Sequence, residues 1–158
     1  MNKYLKIVYF VIICLAVGYL SSLVTQSSIA TWYPTLEKPV FNPPNWVFAP
    51  VWTLLFIMMG VSAGLIWDKI TEQKELVKKG LLFFIVQLVL NALWSYLFFG
   101  LCNVLLASIE IVILLLVIFE TYLIFKKIDK KAAMLLIPYM VWVSFATLLT
   151  VSILVLNW

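Results

Sequence analysis

Residues 79–126 read KGLLFFIVQLVLNALWSYLFFGLCNVLLASIEIVILLLVIFETYLIFK, and the 46 residues between the bounding lysines carry only two charges, Glu110 and Glu120. As one helix they would extend about 70 Å at ~1.5 Å per residue, against a hydrocarbon core of ~30 Å. The stretch is therefore two membrane spans, turning near Gly100 to Asn103. Outward from it, an uncharged run precedes at Ile7 to Val24, a second at Val40 to Trp67, and a last one follows at Ala132 to Trp158. The expected fold is all-α: a five-helix transmembrane bundle forming one domain over residues 1–158, with helices at about 6–24, 46–67, 80–99, 104–125 and 131–156.

Composition agrees with this reading. The chain is 65% hydrophobic and 11% charged with mean hydropathy +1.12, outside the range of soluble domains. Five spans put Lys3, Lys6, Lys69, Lys74, Lys78, Lys79, Lys126, Lys127, Lys130 and Lys131 at one end and leave Lys38 alone at the other. Short loops on the inner side carry the excess lysine, which predicts the N-terminus inside and the C-terminus outside. Anionic lipid headgroups account for the net charge of +4, so nucleic acid need not be invoked as a partner. Lys3 and Lys6 before an apolar run imitate a signal peptide, but no small-x-small cleavage site follows, and the segment reads as a retained helix. Histidine is absent, which removes the commonest metal ligand and general base, and two cysteines are too few for a zinc site or a disulfide framework.

Five of the six prolines, Pro34, Pro39, Pro43, Pro44 and Pro50, fall between Trp32 and Gly60. Each fixes φ and removes a donor, so Thr31 to Asn45 should be a stiff, non-helical lid loop between helices 1 and 2. Trp32, Tyr33, Trp46 and Trp52 give it and the following helix start large rings with polar handles, suited to an interfacial belt or to a ligand.

The helices carry distinct faces. Cys14, Gly18 and Ser22 make a small-residue stripe on helix 1, and Gly60 and Gly64 a second on helix 2, each permitting close approach within the monomer or between copies. Trp52, Phe56 and Met59 share a face of helix 2. On helix 3, Gln87, Asn91, Trp94, Ser95 and Phe98 form a polar-aromatic face, which must meet a partner helix or line a cavity. Glu110 and Glu120 on helix 4 lie about 15 Å apart along the axis, too far for a carboxylate pair. They suit either a hydrogen bond to a neighbouring helix or proton-coupled transport. Pro138 should kink helix 5, beyond which Trp142, Phe145, Ala146 and Leu149 share a face. A pocket floored by Ala146, walled by Trp52, Asn91, Trp94 and Trp142 and closed by Trp32, Tyr33 and Pro43 would suit a planar polycyclic ligand. An ordinary packed bundle core would use the same stripe.

Trp32-Tyr33, Leu36-Glu37-Lys38-Pro39, Pro43-Pro44, Pro50-Val51-Trp52-Thr53 and Met59-Gly60 resemble the TspO family of tryptophan-rich sensory proteins, which includes the mitochondrial translocator protein, or peripheral benzodiazepine receptor. The resemblance continues in Gln87-Leu88, Asn91, Trp94-Ser95, Phe98-Phe99-Gly100, Leu106-Ala107, Pro138-Tyr139, Trp142 and Phe145-Ala146-Thr147, covering nearly the whole chain. It implies five transmembrane helices and a site for porphyrins and synthetic benzodiazepine-type ligands under the loop after helix 1. Carried over by motif, the ligand-binding residues are Trp32, Tyr33, Pro43, Trp52, Phe56, Asn91, Trp94, Ser95, Trp142 and Ala146.

It also implies a frequent homodimer, a bacterial cell membrane for a chain of this type, and no required cofactor, porphyrin being ligand or substrate. Some bacterial members promote light- and oxygen-dependent porphyrin breakdown, which makes Trp52 and Trp142 the catalytic candidates. Two departures limit the transfer. Nothing after Tyr139 is Tyr, Lys or Arg, so the sterol pattern of animal members is missing at the tail, and Thr150 stands where members commonly have asparagine. Three functions follow: a porphyrin-binding sensor or regulator first, then a porphyrin-degrading enzyme or a small-molecule transporter.

Overall fold

A computed structural model describes all 158 residues. It contains no strand and five helical stretches long and apolar enough to cross a membrane. They are α1 (Lys3–Ile29), α2 (Asn45–Asp68), α3 (Lys74–Ser95, widening into a π-helical turn over Tyr96–Gly100), α4 (Val104–Ile128), and a fifth span made of α5 (Lys130–Met134) and α6 (Ile137–Leu156). Helices satisfy their own backbone hydrogen bonds, which is what lipid requires, and large apolar side chains such as Ile12, Leu82, Val89, Leu116 and Val141 stand exposed around the bundle.

The helix ends depart from the sequence reading in three places, each with a local cause. α1 runs through the polar residues expected to end it. There Thr25 and Ser27 return their hydroxyls to Ser21 O (3.1 Å) and Val24 O (2.7 Å), and Ser28 Oγ donates across the bundle to Phe99 O (2.5 Å). α3 begins at Lys74 rather than Gly80, because Val77 is fully buried and recruits that turn into the core. The expected connector shrinks to Lys69–Gln73. The fifth span is interrupted ahead of Pro138 rather than kinked at it. A continuous helix would pair residue 138 with Met134 O, which proline cannot do, so α5 stops at Met134 and α6 restarts with the proline in its first turn.

Helices α1 and α2 make the tightest contact in the bundle. Gly60 and Gly64 face the α1 backbone so closely that a Cβ on Gly60 would lie 2.6 Å from Val11 N, and one on Gly64 2.5 Å from Ile7 Cα. The glycine pair is therefore spent inside the monomer. At the same end, Lys6 Nζ meets Asp68 at 3.0 Å. The main core gathers Met59, Phe84, Ile118, Phe125 and Tyr139, with Phe84 stacked on Phe125 at 6.1 Å. A smaller core around Tyr33, Phe98, Phe99, Leu149 and Ile153 closes the opposite end. Trp94 packs against both.

Candidate functional site

Between the two cores lies a cavity of about 520 Å³, within the range of small-molecule sites. Each wall follows from a helix period. Trp52 and Phe56, one turn apart on α2, hold their rings 5.6 Å apart, and Trp52 meets Tyr139 edge-on at 6.3 Å. Trp94 and Phe98 stack at 5.0 Å where α3 opens into its wider turn. Trp142 on α6 contacts Phe48 of α2 at 6.1 Å and Phe145 at 5.6 Å, while Ala146, one turn on, leaves the space unfilled.

Eight of the ten residues expected at the site line this one cavity: Tyr33, Trp52, Phe56, Asn91, Trp94, Ser95, Trp142 and Ala146. Trp32 and Pro43 do not. Trp32 sets its ring edge-on against Phe98 at 5.4 Å and so braces the wall. Pro43 follows Asn42, whose Oδ1 accepts from Tyr33 Oη at 3.1 Å.

The loop between α1 and α2 includes a 3-10 turn at Tyr33–Thr35 that a fully irregular segment would lack. Its anchor is Tyr33, which is buried against Phe98 and Phe99 and has the Lys38 ammonium 4.7 Å from its ring centroid. Burial raises the Tyr33 phenol above its ordinary value and the Asn42 hydrogen bond only partly offsets this, so the hydroxyl stays protonated at neutral pH. A second tie comes from the C-terminal end. Asn157 accepts from Glu37 N (2.9 Å) and donates to Glu37 O (2.8 Å), clasping the loop in both directions.

The polar face of α3 divides in two. Asn91 Nδ2 donates to Tyr139 Oη (2.9 Å), which donates to Gln87 Oε1 (2.7 Å), so the inner half is an interhelical clasp on α6. All three side chains are buried. Trp94, Ser95 and Phe98 form the cavity half, with Asn91 belonging to both. Neither intramembrane acid makes the expected hydrogen bond to a neighbouring helix: both oxygens of buried Glu110 lack a partner, and Glu120 is exposed. Glu110 is absent from the cavity wall.

The α1 wall was not legible as such. Leu15, Gly18, Tyr19, Ser21, Ser22, Thr25, Gln26 and Ile29 all line the cavity. Gly18 does serve as a close-approach point, since a Cβ there would lie 2.7 Å from the Phe56 ring, but Ser22 faces space rather than a helix. The available signal was the crowding of Ser21, Ser22, Thr25 and Gln26 onto one end of an apolar span. Exposed lining residues on both α1 (Tyr19, Gln26) and α2 (Asn45, Ala49, Thr53) show that the cavity opens sideways between these helices. Ser21 Oγ, Trp94 Nε1 and Trp142 Nε1 are buried in the wall residues without a hydrogen-bond partner, polar groups that an apolar pocket rarely leaves unused.

No group of three or more metal-ligating side chains comes together, and Cys14 and Cys102 are both free. The arrangement offers aromatic faces and a few unpaired donors around one space.

Comparison with known proteins identifies the family. The TspO/MBR family model matches residues 10–156. The chain is 44% identical to the tryptophan-rich protein TspO of Chlorobaculum tepidum over 145 residues, covering 92% of this chain and 91% of that protein. It is 40% identical to the TspO of Archaeoglobus fulgidus over 153 residues, 97% of each, and 32% identical to the translocator protein of Ovis aries over 134 residues, 84% of this chain and 78% of that one. Matched from α1 to the end of α6, this five-span membrane protein belongs to the TspO/MBR family.

Proposed function

We propose that this protein binds a tetrapyrrole in the membrane and senses or regulates porphyrin. The observation that carries the reading is the cavity itself: about 520 Å³, with Trp52, Trp94 and Trp142 on three different helices around one space. Tyr33, Phe56, Asn91, Ser95 and Ala146 complete the contacts, while Trp32 and Pro43 stabilise the loop that would cover the ligand. Ser21 Oγ and the two indole N–H groups supply hydrogen-bonding capacity toward an acceptor on the ligand's rim, a carboxylate for instance.

Protoporphyrin IX titrated in the dark into the detergent-purified protein should quench its tryptophan fluorescence saturably. Unchanged fluorescence across the titration would count against the site. Both candidate redox residues line the cavity, which favours light-driven porphyrin oxidation as the second reading. Trp52→Phe and Trp142→Phe keep an aromatic face, so affinity should fall by roughly tenfold or less, about 1.4 kcal/mol. If the tryptophans are redox partners, illuminated porphyrin loss should vanish in these variants while binding persists. Equal loss in wild type, both variants and protein-free detergent rejects the enzymatic reading.

We further propose a bacterial cell membrane as the location, with the lysine-rich end inside, from the distribution of ten lysines against one. A reporter fused after Trp158 should then be active only outside. Cytoplasmic activity would invert the orientation.

A further inference from the structure

The N-terminus, the α2–α3 connector and the α4–α5 junction converge at one end of the bundle around a second cavity of about 390 Å³. Seven residues line it: Lys3, Leu65, Asp68, Lys69, Asp129, Lys130 and Lys131. Four are lysines from three separate segments, so only the folded bundle assembles them. The two acids offset the set only in part, since four lysines against two aspartates leave the lining with a net positive charge. Asp68 pairs with Lys6 at 3.0 Å, and Asp129 Oδ1 accepts from the backbone N–H groups of Lys131 (2.8 Å) and Ala132 (3.2 Å). Lys3, Lys130 and Lys131 have no acidic partner within salt-bridge distance. Lys69 meets only Glu72, at 3.5 Å on the rim.

Lipid-exposed apolar side chains flank this basic cavity on the adjoining elements. Leu5 and Val8 lie just beyond Lys3 on α1, and Met134 and Ile137 just beyond Lys131. From this geometry we infer that the cavity is a binding site for an anionic phospholipid, with its phosphate among Lys3, Lys130 and Lys131 and its acyl chains along the apolar flanks. The phosphate supplies the negative charge that two aspartates against four lysines leave wanting, and the apolar flanks select a lipid over a soluble phosphate. This site lies at the opposite end of α1 and α2 from the tryptophan cavity and does not depend on what that cavity holds.

The test is a thermal-shift titration of the full chain in a zwitterionic detergent, with phosphatidylglycerol, phosphatidylcholine or soluble glycerol phosphate added. A ligand bound by the folded state raises the melting temperature, by an amount that grows with the logarithm of its concentration over Kd. Phosphatidylglycerol should stabilise at concentrations where the other two do not. Lys130→Gln with Lys131→Gln should weaken that effect by roughly tenfold or more, since each lysine near anionic lipid contributes about 1 kcal/mol. Lys78→Gln with Lys79→Gln removes the same charge at the same end but outside the cavity, and should change the apparent affinity by less than about twofold. Equal losses in the two double variants would reduce the effect to general surface charge and overturn the site. Equal stabilisation by phosphatidylcholine, or by glycerol phosphate alone, would overturn it also.

Discussion

Gly60→Ala is expected to destabilise the protein by about 2 kcal/mol, lowering its melting temperature in detergent by several degrees and loosening α1 from α2. Two effects oppose each other at this position. Alanine is the better helix former, a gain of up to about 1 kcal/mol. Against it, the new Cβ would lie 2.6 Å from Val11 N and press on the α1 backbone, which cannot rotate aside as a side chain can. Overpacking of this kind costs about 1–3 kcal/mol and occasionally more, and it wins because the obstacle is main chain. Gly64→Ala, against Ile7 Cα at 2.5 Å, should behave alike. Gly80→Ala is the control: its nearest neighbours are side-chain atoms of Ile124 and Phe125 at 3.2 Å, so the two terms should nearly cancel. A Gly60→Ala protein as stable as wild type would show that the helices can separate freely at this point.

Ala146→Phe is expected to abolish ligand binding while leaving the fold intact. Ala146 lines the cavity with only a methyl group, and the tryptophan-rich walls on α2 and α3 lie across the space from it. A phenyl group there enters open volume rather than the packed core, so the overpacking penalty on stability should be small. The same ring occupies the position a planar ligand needs. Porphyrin affinity should fall by more than about a hundredfold, or about 2.8 kcal/mol, with the melting temperature of the unliganded protein within a few degrees of wild type. Undiminished fluorescence quenching by protoporphyrin IX in this variant would place the ligand elsewhere. Because α1 and α2 are joined below the cavity, the Gly60 result bears on the bundle and the Ala146 result on the site, and the two should be independent.

Much of the site was legible because it follows the helix period. Trp52 and Phe56, Trp94 and Phe98, and Trp142 and Ala146 each sit four residues apart, which places each pair on one face whatever the bundle does. Which faces converge is another matter. In a soluble helix the apolar stripe points to the core, but α1 is apolar all round from Ile7 to Leu20, and nothing in that part of its pattern marked Leu15 and Tyr19 as a cavity wall. The same blindness affected the polar residues. Asn91 and Gln87 looked alike to Trp94 and Ser95 as one face, and only the arrival of Tyr139 from α6, 48 residues further on from Asn91, turned half of that face into a clasp.

What the amino-acid sequence determined alone is the count of spans and the turn between the third and fourth, because a ~30 Å bilayer admits about 20 apolar residues at a time and charge or glycine must fall between. It also determined the gathering of ten lysines at one end. Tertiary structure decided the rest: that Gly60 and Gly64 serve α1 rather than a second copy, that Trp32 braces a wall instead of forming one, and that Asn157 holds Glu37 across 120 residues of chain. The physical reason is one of range. Helix formation and membrane insertion are settled by neighbours within a few turns, whereas a cavity is the space left where five helices fail to touch, and no local pattern records it.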